Sequence, residues 1–95
     1  MFVGAGRIHI KIPYSKSLKE KRAVVNSIKR KLNNKFRISV AEVEGLNSKN
    51  SSVIGISIVS SDKNVIMSVF NKLYDFVEDN FDIILFDQDF EIMKY

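Results

Sequence analysis

A chain of 95 residues, 45% hydrophobic and 27% charged, fits one folded domain over residues 1–95 with a single core, not a disordered segment. It has no cysteine and a single histidine, His9, which excludes disulfides, thiolate metal sites, a cysteine nucleophile and a histidine cluster. The net charge of +4 hides a split. Residues 1–37 hold eleven basic groups against Glu20 alone, and residues 38–95 hold four against ten acids; a basic half of this kind points toward a polyanion.

The first strand is expected over residues 2–12, where Ile8, Ile10 and Ile12 alternate with Arg7, His9 and Lys11. Pro13, the only proline, ends it. Ser17-Leu18-Lys19-Glu20 then reads as a capping box, with Ser17 accepting from the Glu20 amide and Glu20 returning a bond to the Ser17 amide. Leu18, Val25, Ile28 and Leu32 recur at helical spacing up to Asn33-Asn34, and Asn34 suits a C-terminal cap.

A second strand is expected over residues 36–44, with Phe36, Ile38 and Val40 on one side. Gly45–Ser52 is small and polar, a loop long for a hairpin and expected to be mobile. The third strand, about 53–60, turns Ile54, Ile56 and Ile58 inward and Gly55 and Ser57 outward. Ser61 or Asp62 caps a second helix carrying Ile66, Val69, Phe70, Leu73, Phe76 and Val77, and Asn80 or Asp82 breaks it. The last strand lies within 83–93.

The order β-α-β-β-α-β predicts an α+β, ferredoxin-like sandwich: a four-stranded antiparallel sheet with both helices on one face. That topology sets the first strand beside the last. It aligns Arg7, His9 and Lys11 with Glu91, Asp89 and Asp87 as a cross-strand charge ladder. No run approaches the ~18 apolar residues of a membrane span, and Met1–Gly6 lacks the basic start and apolar stretch of a signal peptide. A cytoplasmic, soluble protein is therefore expected.

Four stretches carry a resemblance: Met1-Phe2-Val3-Gly4, Ser17-Leu18-Lys19-Glu20-Lys21-Arg22, Val40-Ala41-Glu42-Val43-Glu44 and the third strand with Gly55. In this order and spacing, over about residues 1–93, they resemble the YlxP-like family of small bacterial proteins of unknown function. The resemblance implies a ferredoxin-like fold and no known activity. Family genes commonly lie near those of a translation initiation factor and a ribosome-binding factor, so it implies a ribosome or RNA setting. Relatives carry a tryptophan-containing segment after the second strand, where this chain has Lys49-Asn50-Ser51.

At about 100° per residue, Lys19, Arg22, Lys29 and Arg30 share an outward stripe with Asn26 and Asn33. Lys16 and Lys35 are placed at its rim. Few acids interleave these cations, although a solvated helix normally mixes the two signs. The stripe is therefore read as a phosphate-contacting surface for structured RNA or a ribosomal subunit, with little sequence preference. Lys21 falls on the apolar side instead, and Glu42 has the strand parity of Ile38 and Val40, so the two are expected to pair at the helix–sheet boundary.

Other chemistries find no residues. The third strand lacks the aromatics of a sheet-face RNA reader. Pro13-Tyr14-Ser15-Lys16 lacks the glycine-rich phosphate loop and arginine of an acylphosphatase, and Gly4-Ala5-Gly6 is no dinucleotide fingerprint. A hard-cation site at Asp87, Asp89 and Glu91 is disfavoured by their basic neighbours. No catalytic residue, metal or cofactor is expected. The alternative to RNA binding is a homodimeric interaction module that uses Val3, Ala5, Ala41, Val43 and Val59 on the open sheet face.

Overall fold

The computed structural model describes residues 1–95 as six elements in chain order. They are β1 (Phe2–Lys11), α1 (Leu18–Lys35), β2 (Ser39–Glu44), β3 (Ser51–Ser60), α2 (Lys63–Asn80) and β4 (Ile84–Lys94). The four strands form one antiparallel sheet in the order β2-β3-β1-β4. The arrangement is the expected α+β, ferredoxin-like one. Alternation within the strands sends Ile8, Ile10, Ile54, Ile56 and Ile58 to one face, where they meet Val25, Ile28 and Leu32 of α1 and Ile66, Phe70, Leu73 and Val77 of α2. Each such side chain, fully buried, contributes roughly 1.5–3 kcal/mol, so the helices are held by these two apolar stripes.

The caps follow local chemistry with one change. Ser17 accepts from the Glu20 amide at 3.1 Å, but the Glu20 carboxylate accepts from the Lys16 amide at 2.8 Å, one residue before the expected partner. Asp62 caps α2 by accepting from the Asn64 amide. Asn34 is not the end of α1. The helix runs on to Lys35, and the extended Phe36 closes it by donating its amide to the Leu32 carbonyl at 2.9 Å.

The β2–β3 connection is shorter than expected, because Ser51 and Ser52 already pair with Lys11 and Ile10. Gly45 provides the positive φ of 76° that the turn needs. The connection is also tied to the body: Ser15 Oγ donates to the Lys49 carbonyl at 2.7 Å, and the Ile12 amide donates to the Asn50 carbonyl at 2.7 Å.

The β1–β4 register differs from the expected ladder by two residues. Arg7 faces Asp89 and His9 faces Asp87, while Lys11 faces Ile84 beyond an irregularity between His9 and Ile10. Aromatic packing accounts for this. Phe90 sits opposite Gly6 and stacks on Phe70 with centroids 4.6 Å apart and planes 10° off parallel. A Cβ at Gly6 would come within 2.5 Å of the Phe70 ring. The stack occupies the space that the glycine leaves and fixes which residues meet, and the Arg7–Asp89 salt bridge follows. Arg7 then grips Asp89 through Nη2 at 2.8 Å and Nε at 3.4 Å, and its hydrogen bond holds the Asp89 carboxyl below the usual carboxylate range. No helix is long and apolar enough to cross a membrane.

Candidate nucleic-acid interface

The face that α1 turns inward is Lys21, Val25, Ile28 and Leu32. Rotation by the helical repeat puts Lys19, Arg22 and Arg30 on the opposite side with Asn26 and Asn33, and all five are exposed. Lys29 lies at the edge of this surface. It is half-buried, and its charge reaches Glu42 on the sheet side. Lys16, just before the helix, is exposed and continues the surface beyond its N-terminus. None of these five cations has a carboxylate oxygen within 4.0 Å. The ion pairs of the fold are Arg7–Asp89 and Lys21–Glu42, and the Glu20 carboxylate is engaged by a backbone amide.

Lys35 stands apart from the other five. Its ammonium lies 5.2 Å from the Phe76 ring centroid and 6.0 Å from that of Phe36, and Lys31 sits 5.1 Å from Phe81. Both point toward α2, into a groove of about 740 Å³ whose walls include Lys72, Asp75 and Asp79. The cation–π contacts orient Lys35, and its place at the rim of the stripe is not kept. Phe36 directly follows Lys35, whereas Phe76 and Phe81 lie far along the chain, so tertiary packing brings only those two rings to the lysines.

Beneath the surface, Lys21 and Glu42 meet as expected. Lys21 is fully buried. Its Nζ donates to Glu42 Oε2 at 2.7 Å and to the Gly45 carbonyl at 2.8 Å, and Leu46 O lies at 3.5 Å. Ser52 Oγ donates to the same carboxylate oxygen at 2.6 Å. Burial pushes the Glu42 carboxyl up, but the hydrogen bonds from Lys21 and Ser52 outweigh it and hold the group below the usual range. Ser52 was not a candidate partner from the sequence; its strand parity, shared with Ile54, was the available signal. This network ties α1 to the β2–β3 loop, so the cations on the outer side of the helix ride on a fixed platform.

The other candidate surfaces resolve as follows. Asp87, Asp89 and Glu91 do not gather into a metal-holding group, and Asp89 is already engaged by Arg7. His9 packs its ring against Phe86 at 5.8 Å between centroids. Val3, Ala5, Ala41, Val43 and Val59 lie on the sheet face away from the helices, as their parity requires. Comparison with curated proteins finds no match. A family model described as "Protein of unknown function (DUF503)" matches residues 3–90, nearly the whole chain, and the chain belongs to that family.

Proposed function

We propose that the protein is a non-enzymatic binding protein that docks structured RNA, in a ribosomal setting, on the outer face of α1. Lys19, Arg22, Lys29 and Arg30 contact phosphates, and Lys16 extends the contact at the N-terminal end. The observation that carries the reading is the absence of any carboxylate within 4.0 Å of these five cations. Like charges three or four residues apart on a helix repel by a few tenths of a kcal/mol per pair. Phosphates relieve that repulsion and release counterions as they bind.

The geometry favours a backbone contact. From Lys19 to Arg30 the helix rises roughly 16 Å at about 1.5 Å per residue. The side chains are long and flexible, with no aromatic among them on which a base can stack. Such a row grips phosphates and distinguishes RNA by shape more than by sequence. The resemblance of Ser17–Arg22 and Val40–Glu44 to the YlxP-like family supports the ribosomal setting.

Co-sedimentation with ribosomal subunits across a salt series tests this. Wild type is compared with the quadruple variant Lys19→Glu/Arg22→Glu/Lys29→Glu/Arg30→Glu, its fold checked by circular dichroism. Binding that falls steeply with salt and is lost in the folded variant is the expected result. Equal binding by both proteins, or no binding by wild type at low salt, would overturn the proposal.

A further inference from the structure

The sheet is covered by helices on one face only, and the other face divides into two ends. Reading across β4, β1 and β3, the row Met93–Val3–Val59 forms an apolar ridge at one end. Val59 is 61% exposed and Met93 53%. The next rows toward the centre are small: Ala5 with Ser57, then Gly55 with Ala41. Here the face opens into a shallow hollow of about 520 Å³, walled on one side by Val43. Val43 occupies the irregularity in the β2–β3 pairing, and its side chain leans over Gly55, where a Cβ would come within 2.8 Å of it. Arg7 shares the Gly55–Ala41 row and lines the hollow together with Glu44, while His9 and Asp87 lie toward the other end.

We infer that this face is covered by a second copy of the same chain, stacked sheet to sheet about a two-fold axis. Three observations select that occupant. First, a ridge lies directly beside a hollow on one surface. A two-fold rotation places each copy's ridge over the other's hollow, which is the self-complementarity an isologous contact requires. Second, the area fits a weak, reversible contact. Four strands about 4.8 Å apart and ten residues at about 3.3 Å each give roughly 600 Å² of face, and the offset that lays ridge over hollow overlaps about half of it. Two copies then bury roughly 600 Å², the size of a transient association, which is why the test extends to high concentration. Third, charge excludes a polyanion here. Glu44, Asp87, Asp89 and Glu91 outnumber Arg7 and Lys11 on this face, and its two rings, His9 and Phe86, pack on each other at the end away from the hollow.

The dimer leaves the outer face of α1 free, because α1 packs against the opposite side of the sheet. It therefore stands independently of the RNA reading, and it gives a two-fold particle with two basic helices facing outward.

Sedimentation velocity from about 1 to 500 µM tests the inference with four proteins: wild type, Val59→Glu, Ala41→Lys and the control Val65→Glu. Val65 is an exposed apolar residue on α2, away from the sheet face. The expected result is a mass that doubles with concentration in wild type and Val65→Glu, and a dimer at least tenfold weaker in Val59→Glu and Ala41→Lys. The two sheet variants back each other up should one fail to fold. A wild type that stays monomeric throughout overturns the inference. So does a dimer that survives both sheet variants, which would put the contact elsewhere, such as basic α1 against acidic α2 and β4.

Discussion

Replacing Glu42 with alanine leaves the Lys21 ammonium buried without its counter-charge. Breaking a buried pair from one side typically costs about 3–5 kcal/mol. Two features set the expectation at the lower end. Lys21 keeps the Gly45 carbonyl at 2.8 Å, and the Glu42 side chain is 14% exposed, which lets water reach the vacated space. About 3 kcal/mol in a domain of this size lowers the Tm by roughly 12–24 °C. Lys21→Met is milder. Methionine fills a similar volume, Glu42 retains Ser52 as a donor, and the Gly45 carbonyl still accepts from the Ser48 amide, so about 1–2 kcal/mol is expected.

The double variant Lys21→Met/Glu42→Leu removes both charges together. It costs less than Glu42→Leu alone, giving a coupling of about 2 kcal/mol in the double-mutant cycle closed by the single variants Lys21→Met and Glu42→Leu. Urea denaturation measures all of these. Additive effects, or a Glu42→Ala protein within about 0.5 kcal/mol of wild type, would refute the idea that the pair acts as a buried unit.

The same pair gives a pH dependence with a definite sign. The Glu42 carboxyl titrates lower in the folded than in the unfolded chain, so its contribution is present above the unfolded value and is lost as pH falls through the folded one. Wild type is expected to lose stability below about pH 4.5 more steeply than Lys21→Met/Glu42→Leu; parallel profiles would contradict this. Tyr74 behaves in the opposite sense. Burial raises its hydroxyl to about 12, so one of the three tyrosines titrates late by phenolate absorbance and stability declines between about pH 10 and 12; a titration with all three near the ordinary value would count against the burial. Gly6→Ala forces a methyl against the Phe70 ring and the Asp89 carbonyl, at a cost of about 1–3 kcal/mol, and an unchanged Tm would remove the aromatic stack as the determinant of the β1–β4 register.

Much of this architecture was legible because it rests on local periodicity. Ile8, Ile10 and Ile12 alternate, Leu18, Val25, Ile28 and Leu32 keep helical spacing, and Ser17 and Asp62 sit where caps belong. The Lys21–Glu42 pair was legible for the same reason, since each residue is polar at a position whose period points inward. What failed depended on packing between distant segments. Charge alternation on β1 and β4 suggested one register, and the Phe70–Phe90 stack over Gly6 imposed another. Lys35 matched the composition of the basic stripe, yet the helical repeat sets it on the flank of α1 that faces α2, where it lies over Phe76. The hollow over Gly55 also takes Glu44 as a lining residue, because the irregularity between Glu42 and Glu44 breaks the alternation that would turn it inward.

The most direct test of the basic face is the affinity for a structured RNA hairpin measured against salt by fluorescence anisotropy. With Lys16 and four cations of α1 on phosphates, and about 0.9 counterions released per contact, log K falls against log salt with a slope of roughly −4.5. Each single substitution among Lys19, Arg22, Lys29 and Arg30 to alanine flattens that slope by about 0.9, whereas Lys35→Ala leaves it unchanged. A slope near zero in wild type, or one that responds to Lys35 and not to the other four, would contradict the assignment of α1 as the RNA-binding surface.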